Sequence, residues 1–219
     1  MPITTAQLEK LHPYKELLVT SSVILTCLIL SVIFPATNSF QSVSRNLFFL
    51  IVLPVLYIKL ILKRDPTEYG WKAGNMKNGL FSAAFALFLG LAVFYLLIRF
   101  AGFSSHYHIN SLIKNSFGLF LLYELVFLNI FFFAQEFFFK SFVLFSYRQF
   151  SYWAVLIQSG IYFSLLVLTK NFSWQTLPVI FVSLVGGFIT FKTKSFLYSY
   201  IFGLLFIMIL DAYIIHLVR

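Results

Sequence analysis

Charge is scarce in this chain. Only 11% of its 219 residues are Asp, Glu, Lys or Arg, against about 25% in ordinary soluble domains, and just seven are acidic. That excludes a conventional soluble globular protein. Cysteine is scarcer still: Cys27, inside an apolar run, is the only one, so no internal disulfide can form. No long polar or low-complexity stretch is present that would make a separate soluble domain. The first apolar segment follows the fairly polar residues 1–16, which include Glu9, Lys10, Lys15 and Glu16, and no small-residue cleavage site comes after it. It is therefore expected to remain as a membrane anchor. The closing residues HLVR carry no lipidation signal.

What is abundant is apolar surface: 60% of residues are hydrophobic, mean hydropathy is +0.91, and there are thirty Phe and twelve Tyr. These aromatics supply lipid-facing bulk and interfacial anchors, so neither a cofactor nor nucleic acid is needed to explain them. The expected partner is the lipid bilayer. With about 20 apolar residues per crossing, seven segments are predicted at 17–35, 46–62, 79–100, 117–139, 153–169, 175–191 and 196–217, the fourth continuing past Lys140 towards Tyr147. Pro54 interrupts the second and predicts a kink. The fold class is thus all-α, a polytopic transmembrane bundle of about seven helices forming one domain over 1–219. Arg45, Arg99, Lys114, Lys170 and Arg219 fall on one side of it, and the other eleven of the sixteen Lys and Arg on the side of the N-terminus. The positive-inside rule then places the N-terminus in the cytoplasm. The net charge of +9 is the product of those loops and not a nucleic-acid footprint. A bacterial plasma membrane is the expected location.

One stretch combines lipid solubility with polar groups: ELVFLNIFFFAQEFFFKSFVLFSYRQ, residues 124–149, carries Glu124, Asn129, Gln135, Glu136 and Lys140. An ionisable group at bilayer centre costs about 2.5–3.5 kcal/mol on insertion scales, so a functional role and a nearby partner are expected. Glu136 and Lys140 are spaced to pair within their own helix. At 100° per residue Asn129, Glu136 and Lys140 share one stripe, and Glu124 and Gln135 share a second about a third of a turn away. Such a helix belongs at the centre of the bundle.

Weaker candidates lie elsewhere. The basic, Trp-bearing loop 63–79 is expected to rest at headgroup level. His106 and His108 form a His-x-His that lacks a third ligand, which favours a solvated loop over a metal site. Gln158 and Ser159 sit within the fifth segment. Gly186 and Gly187 are expected to allow close helix approach. Asp211 and His216, near the end of the last segment, are expected to snorkel to the interface.

Three stretches carry a resemblance: AQEFFFKSFVL (134–144), SGIYFSLLV (159–167) and GGFITFKTKSFLYSYIFGLLFI (186–207), with a weaker echo in EYGWKAGNMKNGL (68–80). In spacing they resemble the Glu-Glu-x-x-x-Arg, Phe-x-x-x-His and His-x-x-x-Asn motifs of the CPBP family. Those are the CAAX-protease and bacteriocin-processing membrane proteins also called Abi. The resemblance implies a CPBP-like core at about 117–210 and cleavage within the membrane. In that family a Glu activates water while two His and an Asn hold a metal or polarise the scissile carbonyl.

Carried onto this sequence, the first Glu is Gln135, the Arg is Lys140, the first His is Val167, the second His is Gly203 and the Asn is Ile207; Glu136 and Phe163 remain as the pattern asks. An amide has no carboxylate basicity, and Val, Gly and Ile side chains offer a metal no lone pair. No cofactor is expected, the metal because its His ligands are missing. The expectation is a catalytically silent relative that binds another membrane protein, a hydrophobic peptide or a lipid tail, through residues such as Glu124, Asn129 and Phe163. The alternative is an active endopeptidase processing prenylated or leader-bearing peptides. A relocated Glu124/Asp211 acid and base would suit it, but nothing in the sequence brings those two together. A small transporter ranks third, for want of internal repeats.

Overall fold

The computed structural model describes residues 5–107 and 109–218. All regular secondary structure among them is helical. We label the main helices α1 (Thr5–Ile33), α2 (Ser39–Ile61), α3 (Met76–Phe100), α4 (Phe117–Ser146), α5 (Trp153–Leu168), α6 (Leu177–Thr193) and α7 (Leu197–Val218). Six apolar stretches of 20 to 30 residues, in every one of these helices but α5, are long enough to cross a membrane. The protein is a multi-pass integral membrane protein.

The expected fifth segment, 153–169, forms a helix within one residue of those bounds, Trp153–Leu168. α5 has 16 residues, about 24 Å at 1.5 Å per residue, short of a hydrocarbon core of about 30 Å. The second crossing begins earlier than its hydropathy implies, at Ser39. Asn38 caps that helix, its side chain accepting from the Gln41 amide at 2.8 Å, and so releases the polar turn Ser39–Ser42 into helix. Asn75 and Ser116 cap α3 and α4 in the same way. Pro54, expected to kink α2, sits in an α-helical turn between two π-helical stretches, Phe48–Val52 and Tyr57–Ile61. Wider turns of this kind re-pair carbonyls near a missing N–H.

α4 is the axis of the bundle. Its Phe132 belongs to a core with Ala83, Phe94, Val182, Phe202 and Phe206 of α3, α6 and α7. Its Phe138 and Phe142 belong to a second core with Ile24, Cys27, Leu50 and Tyr57 of α1 and α2, and Leu144 packs on Ala154 and Val155 of α5. Small residues set the approach of neighbouring helices. A Cβ at Gly90 would come within 2.7 Å of the Phe181 ring, and one at Gly187 within 2.8 Å of Gln158 Oε1.

The loop 62–75 does not merely lie at headgroup level. It folds onto the end of the bundle, and its backbone carbonyls take the bonds: Ser141 donates to Tyr69 O, Tyr198 to Ala73 O at 2.5 Å, and the Phe196 amide to Gly70 O at 3.3 Å. Trp71 meets the edges of Phe137 and Phe196 at 5.5 and 6.0 Å between ring centroids. Arg64 ties the loop to α1 through Glu16 at 2.7 Å.

Candidate functional site

α4 carries two polar centres, one towards each end. The first is Glu136 with Lys140, paired as their spacing predicts and almost wholly buried at 5% and 1% exposure. Lys140 Nζ also donates to Val182 O of α6 at 3.0 Å, and Ser199 of α7 donates to the second Glu136 oxygen at 2.8 Å. Gly186 makes this possible, since a Cβ there would collide with Lys140 Nζ and Ser199 Oγ. The pair therefore bolts α4, α6 and α7 together beneath loop 62–75. Both carboxylate oxygens have donors, so the centre is a closed structural unit. The remaining member of that stripe, Asn129, accepts from Tyr200 of α7 and donates to Leu125 O at 3.1 Å.

The second centre adjoins a cavity of about 550 Å³ between α4, α5, α6, α7 and the 101–116 connection, within the roughly 300–1,000 Å³ of small-molecule pockets. Gln135, Tyr162, Ile207 and Asp211 contribute to its wall, with Phe131 and Val179 among its apolar members. Asp211 corrects an expectation. It does not snorkel: it is buried at 7% exposure and accepts from Tyr107 OH at 2.6 Å. Glu124 of α4 lies close to it, so the two acids that the sequence leaves apart are neighbours. Burial, with Asp211 at hand, pushes the Tyr107 phenol far above its ordinary range, which keeps it a donor. Glu124 itself is buried at 1% exposure, and its Oε2 has no hydrogen-bond partner.

The motif positions divide sharply. Gln135 and Ile207 come to the same cavity. Gly203 lies against Phe132 of the cavity wall, where a Cβ would collide with that ring and come within 2.7 Å of Val182. Val167 and Phe163 are 47% and 42% exposed on α5 and do not reach the cavity, Phe163 packing instead on Phe172. It is the intervening Tyr162 that enters the wall. Glu136 and Lys140 do not line it.

His106 stacks on Trp174 at 6.0 Å between centroids, and His108 lies outside the described residues. His216 is exposed near the end of α7. Among the described residues no group of three His, Cys, Asp or Glu is placed to hold a metal ion. Sequence reasoning missed Tyr107 and Tyr162. Tyr107 stands between the two histidines that drew attention, and only the return of its loop onto α7 gives it a role. Compared with protein-family models, curated proteins and solved structures, the chain matches none of them.

Proposed function

We propose that this protein is a non-catalytic relative of the CPBP intramembrane proteases, which holds a hydrophobic peptide segment or lipid-like chain in the α4–α7 cavity without hydrolysing it. The bound segment belongs to another membrane component, and the role is that of a binding or regulatory partner in the membrane. The observation that carries this is the meeting of Gln135 and Ile207 in one cavity. Two positions that the resemblance assigns to reaction chemistry thus share a ligand-sized space, one as an amide and the other as an alkyl group. The Phe132 ring fills the room that an imidazole on Gly203 would need. A space with apolar walls and a few polar groups can retain a chain. With Gln135 in place of a carboxylate it lacks the base that water activation requires. The positive-inside bias orients the closed 62–75 end to the cytoplasm and the cavity's 101–116 end to the opposite face.

One observation favours the runner-up, an active endopeptidase with relocated groups: Glu124 and Asp211 lie close together beside the cavity, as acid and base must. The same experiment separates the two. Full-length protein in lipid nanodiscs, carrying a photoreactive phenylalanine at Phe131 or, as control, at the outward Phe163, is incubated with a prenylated peptide and with a leader-bearing peptide. Cross-links from position 131 well above those from 163, with peptide masses intact, are expected. Cleavage that vanishes in Asp211→Asn would establish the runner-up. Equal labelling from both positions would remove the cavity from consideration.

A further inference from the structure

We infer that the end of the bundle closed by loop 62–75 binds the phosphate-bearing head of an anionic membrane lipid. The site is a cavity of about 420 Å³ where Lys72, Arg148 and Lys194 stand over a floor of Leu144, Phe145 and Phe191. It shares no lining residue with the α4–α7 cavity and is independent of the function proposed there. The first ground is convergence. The three cations come from separate elements: loop 62–75, the turn Arg148–Phe150 after α4, and the residue that caps α6. Gly70, Ala73 and Gly74, on either side of Lys72, lie against Phe196, Tyr198 and Thr193, on either side of Lys194. The Tyr152 ring packs on Phe191 at 5.0 Å between centroids, which brings the turn after α4 to the last turn of α6.

The second ground is uncompensated charge. Among the described residues none of the three cations has an ion-pair partner, whereas Arg64, in the adjoining cavity that Arg148 also borders, is taken by Glu16 at 2.7 Å. Glu68 is the one carboxylate in the lining, so three cations against one anion leave a surplus of two positive charges. The third ground is Lys194 itself. It caps α6 in the left-handed conformation, φ +55° and ψ +31°, where glycine is the ordinary residue and a side chain costs backbone energy. A cation at a helix C-terminus answers the dipole, but Lys192 in the last turn already supplies one. A second lysine held in strained backbone points to a role outside the helix. The fourth ground is depth. Arg148 and Lys194 stand just past the ends of the membrane-crossing stretches of α4 and α6, where head groups lie, and basic pockets between helices at that level suit anionic lipid heads. The apolar floor then receives the start of an acyl chain, which a soluble phosphate lacks.

The test uses the full chain in phosphatidylcholine nanodiscs with a trace of photoreactive phosphatidylglycerol or, in parallel, photoreactive phosphatidylcholine with the same acyl chains. Labelled positions are read by mass spectrometry. Each Lys or Arg near a membrane surface strengthens attraction for anionic lipid about fivefold, so phosphatidylglycerol is expected to label Leu144, Phe145 and Phe191 at least about tenfold more than phosphatidylcholine. At the exposed Phe81 of α3, near the same end of the bundle, the two lipids are expected to label alike. Arg148→Gln with Lys194→Gln is expected to bring the ratio at the cavity down to about one. Lys194→Gly separates recognition from structure: relief of the left-handed residue should raise the unfolding midpoint while the lipid ratio falls several-fold. An unchanged ratio in that variant counts against the site. Labelling that withstands millimolar inorganic phosphate supports the lipid; displacement by it assigns the cavity to a soluble phosphate compound and overturns the lipid as occupant. Equal labelling of the cavity by the two lipids, or the same phosphatidylglycerol excess at Phe81, overturns the inference and leaves the α4–α7 binding function standing. These ratios are measured on the unmodified chain, so a variant that fails to fold does not decide the matter.

Discussion

Replacing Lys140 by Met tests the claim that its pair with Glu136 holds three helices together. The substitution keeps length and apolar bulk but strips Glu136 of its ammonium, and it also removes the bond from Lys140 to Val182 O. Both side chains are at most 5% exposed, so water cannot take over. Removing one partner of a buried pair costs about 3–5 kcal/mol, whereas replacing both by apolar groups of similar volume is often nearly neutral. For a chain of this size each kcal/mol moves the unfolding midpoint by roughly 2–4 °C, so a fall of about 6–20 °C is expected for Lys140→Met. Glu136→Met/Lys140→Met should recover most of it. The molecule contains its own reporter. Cys27 is the only cysteine and is 1% exposed, so a fluorogenic maleimide reacts as the bundle opens on heating. The coupling energy from the four-member cycle should far exceed the ~0.6 kcal/mol typical of hydrogen bonds inside membrane bundles. A value at or below that figure, or a double variant as damaged as the sum of the singles, refutes the reasoning. The swap Glu136→Lys/Lys140→Glu should also fail, since a carboxylate at 140 would face the Val182 carbonyl.

Other outcomes follow from the same geometry. Gly203→His should overpack against Phe132 and destabilise by about 1–3 kcal/mol, whereas Val167→His on the exposed face of α5 should stay within about 0.5 kcal/mol, both read by the Cys27 assay. The four-fold variant Gln135→Glu, Val167→His, Gly203→His, Ile207→Asn should gain no peptidase activity in a mass-spectrometric assay, because position 167 does not reach the cavity. Tyr107→Phe removes the 2.6 Å bond to Asp211 and should lower the midpoint by a few degrees, about 1–3 kcal/mol for a buried acceptor left short of a donor. Asp65 has its acidity strengthened by the hydrogen bond to Thr67 that starts the 66–69 turn. A carboxyl with a depressed folded-state pKa stabilises above its unfolded value near 3.9 and ceases to do so as pH falls through the folded one. Loop 62–75 should therefore loosen as pH drops below about 4, seen as a change in Trp71 emission in a Trp153→Phe/Trp174→Phe background and blunted in Asp65→Asn.

Helical class, the central place of α4 and the Glu136–Lys140 pair were all legible in the sequence, because each depends on local spacing or composition. Hydropathy marked each apolar run, and an i,i+4 pair needs only one helix to form. What stayed hidden depends on how separate segments meet. Asp211 sits in an apolar run near a helix end, where reaching the interface is the ordinary solution; its burial follows from Tyr107 returning over α7 and from Glu124 facing it. The π-helical turns at Tyr123–Leu128 and Phe137–Val143 shift side chains off a strict 100° wheel, and nothing in a Phe-rich sequence marks them. Gly186 reads as a close-packing glycine, yet the atom it makes way for is an ammonium nitrogen.

Loop 62–75 is fastened through its own main chain: the oxygens of Tyr69, Gly70 and Ala73 receive the bonds, and the bundle provides the donors. Such a clasp reads the path of the strap, and the side chains of Arg64, Tyr69 and Trp71 add to its hold. Gly70 and Gly74, with φ of +83° and +57°, are where that path is demanding, for a side chain at the first would strike Phe145 and at the second the Thr193 carbonyl. A foreign segment of equal length spliced between Lys63 and Met76 would have to bring those two glycines and also Arg64, Tyr69 and Trp71, whose side chains pair with Glu16 and pack on the bundle.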